Sequence, residues 1–302
     1  MVKRVFLDMD PGIDDAAAIM MLSAFSELEI IGISTVSGNV EVEKTTANAM
    51  KIVEALELNV EVFKGASRPL AKRARHAYIV HGKDGLGDTN LELHNTKSLS
   101  NKYGPIAMIE SAKENKDLWL LATGPLTNLA IATILEPDFP KMLKGLVVMG
   151  GAFNLTKYGV GNVTRFAEFN IWFDPEAAKI VSTSFDNATF IGLDVTANPK
   201  VWISKNEIDN LKETKRSSIL RKIVKNYIKS YGSFVPHDPI AAYYLINPES
   251  FQIEDHCIKV KTGRFRGMTT VDNYSENCKK SRIATDVDAD SFKNAFLKSM
   301  EF

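Results

Sequence analysis

Positions 8 to 15 hold four carboxylates, Asp8, Asp10, Asp14 and Asp15. They fall where an apolar strand (Val5-Phe6-Leu7) turns into an apolar helix (Ala16 to Leu22). Acids crowded at a buried strand-to-helix turn repel one another and resist ionisation. Amides at the helix start relieve part of that repulsion; a bound divalent cation would relieve far more. Taken singly, Asp14 and Asp15 are first-turn acids that complement a helix dipole, and Asp10 before Pro11-Gly12 is a turn-former. Taken together, Asp8 and Asp10 alternate at a strand end while Asp14 and Asp15 open the next helix, so both pairs are expected to point into one small volume. An oxygen-only, carboxylate-rich site suits a hard cation such as Ca²⁺ or Mg²⁺. The spacing is not that of an EF-hand loop, which needs further acids at fixed later offsets.

Two downstream fragments carry similar residue types. In His237-Asp238-Pro239, Asp238 alone is a helix cap with Pro at the first helical position, and His237 alone is an ordinary imidazole. Glu168-Phe169-Asn170, preceded by Asn162, would by itself be loop and helix-entry polarity.

The elements that must position these residues follow from periodicity. Strands are expected at Val5–Leu7, Ile30–Val36, Val60–Phe63, Leu118–Ala122, Leu146–Met149 and Thr189–Leu193. Helical patterns lie between them at Asp14–Phe25, Val42–Leu56, Pro105–Glu114, Asn128–Leu135 and Pro175–Ser182. Val- and Ile-rich strands separated by helices read as βαβ units. The fold class is therefore α/β, with a mostly parallel, open, Rossmann-like sheet flanked by helices. In such sheets ligands bind beyond the carboxyl ends of the strands, where the acidic cluster, Ser37-Gly38-Asn39, Thr123-Gly124 and Met149-Gly150-Gly151 all stand. A long loop, Ala66 to Asn101, carries His76, His81 and His94; loops of that length in compact domains are usually functional or disordered. Asn154 to Thr164 is similar in character. From about Ser204 the pattern is helical, with Ile219–Tyr231 amphipathic and Asp238–Leu245 after the Pro236 turn. Phe251 to Thr270 reads as short antiparallel strands. With no repeat or linker, residues 1–302 are expected to form a single domain.

Bulk properties exclude several classes. The composition is 45% hydrophobic and 25% charged, and 37 Lys and Arg balance 37 Asp and Glu. That neutrality argues against nucleic acid or a membrane surface as partner and fits small-molecule chemistry. The Lys3-Arg4 start is followed by an apolar run broken at Asp8, so no secretion signal is expected, and no stretch reaches the ~20 residues of a membrane span. Cys257 and Cys278 have neither zinc nor CxxC spacing. Two isolated thiols in a reducing, cytoplasmic setting are expected, although spacing alone leaves a disulfide between them open.

Along essentially its whole length the chain resembles the nucleoside hydrolases, the inosine–uridine-preferring ribonucleoside N-glycosidases. The resemblance rests on Asp8-x-Asp10-Pro11-Gly12-x-Asp14-Asp15-Ala16, Gly38-Asn39, Val80-His81-Gly82 with Asp84-Gly85-Leu86, and Ala122 to Asn128. It continues through Met149-Gly150-Gly151, Ala167-Glu168-Phe169-Asn170, Asp174-Pro175-Glu176-Ala177-Ala178, and His237-Asp238-Pro239. It implies hydrolysis of a nucleoside to free base and ribose around a Ca²⁺ ion held by Asp10, Asp15, Asp238 and the Thr123 carbonyl. Asp10 would be the general base toward a metal-bound water, whose pKa the ion lowers. Asp14 and Asn170 would grip the ribose 2′-hydroxyl, with Asn39 near the hydroxyl pair and Asp238 also at the sugar. Asn162 and Glu168 would hold the 5′-hydroxyl and Met149 would line the sugar's floor. Direct water attack through an oxocarbenium-like state implies inversion.

For the departing base, His237 would be the acid or electrostatic partner, with His81 close by. Members that stack purines carry Trp where His81 stands, so that subgroup is not expected. Tyr227 and Tyr231 are the candidates for a tyrosine contact to the base. A homodimer or homotetramer is implied by the family alone.

Two alternatives stand beside this reading. Haloacid-dehalogenase-like phosphohydrolases also place Asp-x-Asp after a first strand, but need Thr or Val where Gly12 stands. A non-catalytic nucleoside-binding protein would keep the pocket without turnover.

Overall fold

The computed structural model describes residues 2–272 and 278–302. Met1, the first residue of the stretch weighed as a leader, lies outside them. Twelve strands are present among the described residues: β1 (Lys3–Met9), β2 (Leu28–Thr35), β3 (Val62–Lys64), β4 (Leu99–Ser100), β5 (Trp119–Ala122), β6 (Gly145–Met149), β7 (Ala188–Ile191), β8 (Ile203–Ser204), β9 (Ser233–Phe234), β10 (Phe251–Val260), β11 (Thr269–Val271) and β12 (Lys280–Val287). Ten of them form one sheet in the order β11-β10-β12-β7-β6-β5-β1-β2-β3-β4, while β8 and β9 pair separately. From β12 to β4 every pairing is parallel; only β10 runs antiparallel, between β11 and β12. The mostly parallel α/β sheet expected from the strand–helix alternation is therefore the architecture observed.

Alternation along the central strands feeds two cores. Val5, Leu7 and Met9 of β1, with Leu121, Val147 and Met149, face one core. Phe6, with Leu120, Ala122, Leu146 and Val148, faces the other. The first core is closed by the helices Ile13–Leu22, Lys215–Tyr231, His237–Ile246 and Ala289–Ser299. The second is closed by Gly104–Glu114, Thr127–Leu135 and Pro175–Ser184. Because the helix Ile13–Leu22 is covered on all sides, nearly every residue in it is apolar.

One expectation is corrected. Asp8 is still inside β1, with the parity of Phe6, and its side chain is held by neighbouring elements, whereas Asp10 stands past the strand's end. The Asp8 carboxylate accepts from Ser34 Oγ at 2.6 Å and from Asn128 Nδ2 at 2.8 Å. The four acids therefore do not share one volume. Asp8 and Asp10 share parity, but the chain leaves the strand after Met9, so Asp10 turns to the rim while Asp8 stays bonded within the sheet. A second correction concerns the thiols: Cys257 and Cys278 form a disulfide linking β10 to the segment before β12. The two strands lie side by side, with Cys257 opposite Lys280, which brings the sulfurs together despite their 21-residue separation.

Candidate active site

The strands β1, β2, β5 and β6 all end at one rim, and the residues just beyond them meet there. Asp10 follows β1, Asn39 follows β2, Thr123 follows β5, and Met149 ends β6. All four line one cavity of 470 Å³, within the size range of small-molecule sites. Its other predicted residues are Asp14, His81, Asn162, Glu168, Asn170, Tyr227, His237 and Asp238. Asp15 lies beneath the lining, fully buried. Tyr231 is the exception: it is 50% exposed, outside the lining, and packs its ring on Tyr227 at 4.7 Å. One helical turn separates the two tyrosines, and only Tyr227 projects inward.

Close backbone approach makes the floor. A Cβ at Gly38 would lie 2.0 Å from Asp10 Oδ2, and one at Gly124 would lie 2.8 Å from Oδ1. The Asp10 carboxyl is thus wedged between two loops that only glycine lets this near. Asn39 N donates to Asp10 Oδ2 at 2.7 Å, and the Asn39 side-chain amide spans the Asp10 carbonyl at 3.1 Å and Asp15 Oδ2 at 3.3 Å. Asp15 caps its own helix through Gly12 N at 2.9 Å and accepts from Thr123 Oγ1 at 2.8 Å. The structural and chemical readings of these first-turn acids hold together, since capping is what orients them.

Electrostatically the floor is unfavourable as it stands. Burial first, then the Asp15 and Asp14 charges, push Asp10 well above the usual carboxylate range. Burial and Asp15 push Asp14 up to about 8. Burial, with the neighbouring aspartates, raises Asp238 likewise, and burial raises Asp15. Asp14 and Asp238 lie close enough that a shared proton or cation would relieve their repulsion, and Asp14 Oδ1 is buried without a partner. Ligand atoms of Asp14, Asp15 and Asp238 all lie within 4.8 Å of one another. This donor set fits a hard divalent cation. It differs from the expected set in placing Asp14 in the group and Asp10 alongside it. The Thr123 carbonyl accepts from Asn170 Nδ2 at 2.7 Å, which leaves it one lone pair.

Asn170 opens the short helix Phe169–Phe173, whose cap is Glu168. The Glu168 carboxylate accepts from Asn170 N, Ile171 N and Gly151 N at 2.8, 3.1 and 3.1 Å, and burial raises its pKa. Both Asn170 amide hydrogens are spent on the Thr123 and Met149 carbonyls, so its Oδ1 is the atom left to face a ligand.

The opposite wall carries the imidazoles. His81 ends the short helix Tyr78–His81 inside the long loop. Ile13 N donates to its Nδ1 at 3.2 Å, so Nδ1 is a lone-pair acceptor and its 3.9 Å approach to Asp14 is not an ion pair. Burial, with the neighbouring His237, drives His81 down to about 3; burial alone takes His237 to about 4. His237 Nδ1 lies 2.8 Å from Thr196 Oγ1, which leaves Nε2 for the cavity. Both rings are neutral near pH 7.

Sequence reasoning missed Ile79, His76, Trp172 and Val235, which also line the cavity. The length of the 66–101 loop flagged the first two as a region; nothing in local patterning marks Trp172. His94 is not part of the lining.

Comparison with known proteins gives one answer. The family model described as inosine-uridine preferring nucleoside hydrolase matches residues 5–294. An inosine-uridine preferring nucleoside hydrolase from Leishmania major is 33% identical over 314 residues, spanning 100% of this chain and 98% of that protein. Uridine nucleosidase 1 from Arabidopsis thaliana is 37% identical over 271 residues, 86% of this chain and 79% of that protein. Among solved structures, a plant nucleoside hydrolase superposes with a TM-score of 0.92 at 28% identity, covering 100% of this chain and 99% of that one.

Proposed function

The chain belongs to the inosine-uridine preferring nucleoside hydrolase family and is a ribonucleoside hydrolase that releases base and ribose; from that premise we propose that catalysis is Ca²⁺-dependent and runs on the acidic floor described above. The observation that carries this reading is the arrangement of buried, mutually repelling aspartates below and two neutral histidines above, in one cavity.

Calcium, held by Asp10, Asp15, Asp238, the Thr123 carbonyl and neighbouring Asp14, would neutralise the floor and acidify a water. Asp10, immobilised by Asn39 between Gly38 and Gly124, takes a proton from the attacking water. Asp14 and the Asn170 Oδ1 accept from the ribose 2′-hydroxyl, with Asn39 and Asp238 beside the hydroxyl pair. Asn162 and Glu168 hold the 5′-hydroxyl, and Met149 packs under the ring. As the C1′–N bond lengthens, positive charge grows on the sugar, and the carboxylate-lined cavity stabilises it more than the ground state. The leaving base receives a hydrogen bond or proton from His237, with His81 and Tyr227 flanking it. Attack by one water without a covalent intermediate inverts the anomeric carbon. Substrates are ribonucleosides, pyrimidine, purine or both; assembly into a homodimer or homotetramer, action in the cytoplasm and a single domain spanning 1–302 complete the reading.

Substitution Asp10→Ala tests the role of the floor. Uridine hydrolysis is expected to fall by on the order of 10²- to 10⁴-fold while circular dichroism stays that of the parent. Unchanged turnover in a folded variant would defeat the mechanism.

A further inference from the structure

The cavity wall that carries Asn162 is built from residues 152–163, which form neither helix nor strand. Such a segment samples many conformations unless something holds it, and Asn162 itself is exposed. Its first part is held by Asp194, in the helix Leu193–Thr196 just after β7. Gly161 N and Val163 N, on either side of Asn162, donate to the Arg165 and Ala167 carbonyls at 3.0 and 3.1 Å. The Asp194 carboxylate is buried and accepts three backbone amides of the segment: Phe153 N at 2.8 Å on Oδ2, and Leu155 N and Thr156 N at 2.7 and 3.1 Å on Oδ1. Thr156 Oγ1 also donates to the Asp194 carbonyl at 2.8 Å. Gly159 closes over the same group, since a Cβ there would sit 2.1 Å from Oδ1. A buried carboxylate is tolerated when donors saturate it, and bonds from amides to a charged acceptor are stronger than neutral ones.

We propose that Asp194 is a positioning residue: by tying segment 153–159 to the end of β7 it sets where Asn162 meets the ribose 5′-hydroxyl. This rests on the reading above that Asn162 holds that hydroxyl. Asp194 is not among the cavity-lining residues, so its effect reaches the sugar only through the segment.

The test compares Asp194→Asn with the parent on uridine and on 5′-deoxyuridine. A displacement of the grip costs at least about tenfold in kcat/KM on uridine and under about twofold on the deoxy substrate. In an Asp194→Asn/Asn162→Ala double variant the loss matches that of Asn162→Ala alone, because both act on one contact. Gly159→Ala, which crowds the carboxylate from the other side, is expected to reproduce the pattern if Asp194→Asn folds poorly. Equal losses on both substrates, or none on either, would overturn the proposal. Hydrogen exchange reads the anchor without turnover: Phe153, Leu155 and Thr156 amides should exchange faster in Asp194→Asn while the central strands stay protected, and unchanged exchange would also overturn it. A parent enzyme that treats the two substrates alike removes the 5′-hydroxyl reading of Asn162 and the functional half of the proposal with it; the exchange result then still decides the anchor.

Discussion

His237 presents a single ring nitrogen to the cavity because Thr196 occupies the other. Its task on the proposed pathway is to help the base depart, so its value depends on how poor the leaving group is. His237→Ala is expected to lower uridine hydrolysis by on the order of 10²-fold or more, while an aryl riboside with an activated phenolate leaving group is hydrolysed nearly as by the parent. Steady-state rates on the two substrates check this; equal losses would place His237 elsewhere in the mechanism. At this scale the sequence was highly legible, since twelve of the predicted site residues line the cavity. The motif spacing carried them, with Asp10, Asn39 and Thr123 standing just past the ends of β1, β2 and β5. The failures have simple causes. Asp8 stands apart because it is still inside β1, bonded to Ser34 and Asn128, while Asp10 lies past the strand's end. Tyr231 points to solvent because one helical turn does not guarantee one face at a helix end.

The helix Phe169–Phe173 is short, yet it delivers Asn170 to the floor, so something beyond local propensity holds it. Glu168 caps its start, and Arg266, from the segment between β10 and β11, holds its end. The guanidinium donates to the Trp172 and Phe173 carbonyls and lies 4.7 Å from the centre of the Trp172 ring. Arg266→Ala is expected to cost about 1–3 kcal/mol of stability and to raise the KM for uridine several-fold, read from thermal melts and kinetics on the same preparation. Intact stability with intact KM would show that the helix needs no such brace. The central strands and their helices were read correctly in kind, with ends displaced by a few residues: the expected Asp14–Phe25 helix runs Ile13–Leu22. The C-terminal helix Ala289–Ser299 went unread although Phe292, Phe296 and Met300 recur at helical spacing. The strand β12 was likewise missed, because polar and charged residues interrupt its apolar pattern. Brace contacts such as Arg266 to Trp172 join residues more than ninety positions apart, and no local pattern encodes them.

For the molecule as a whole, the acidic floor is a stability liability that a bound cation would remove. Without metal, Asp14 is pushed up to about 8 in the folded protein against an ordinary 3.8, so the folded state binds more protons than the unfolded one between these values. Stability from that protonation is complete below the lower value and is lost as pH rises through the higher one. Up to about pH 6.5 the buried His81 and His237, held neutral in the fold, oppose this trend, so chelated protein is expected to melt at progressively lower temperature from about pH 6.5 to about pH 8. Added calcium should raise the melting temperature by an amount that grows over the same range, as protons cease to compete for the carboxylates. A calcium effect that shrinks with rising pH would count against the site. Among the described residues no helix is long and apolar enough to cross a membrane. The Asp-x-Asp turn alone was also compatible with a phosphohydrolase; the family match over residues 5–294 decides for the nucleoside hydrolases.

The most direct measurement is product analysis of uridine and inosine incubated with the purified protein, first with a chelator and then with calcium restored. Equimolar free base and ribose that vanish on chelation and return with calcium are the predicted result. Undiminished base release from fully chelated protein, or none with calcium in excess, would contradict it.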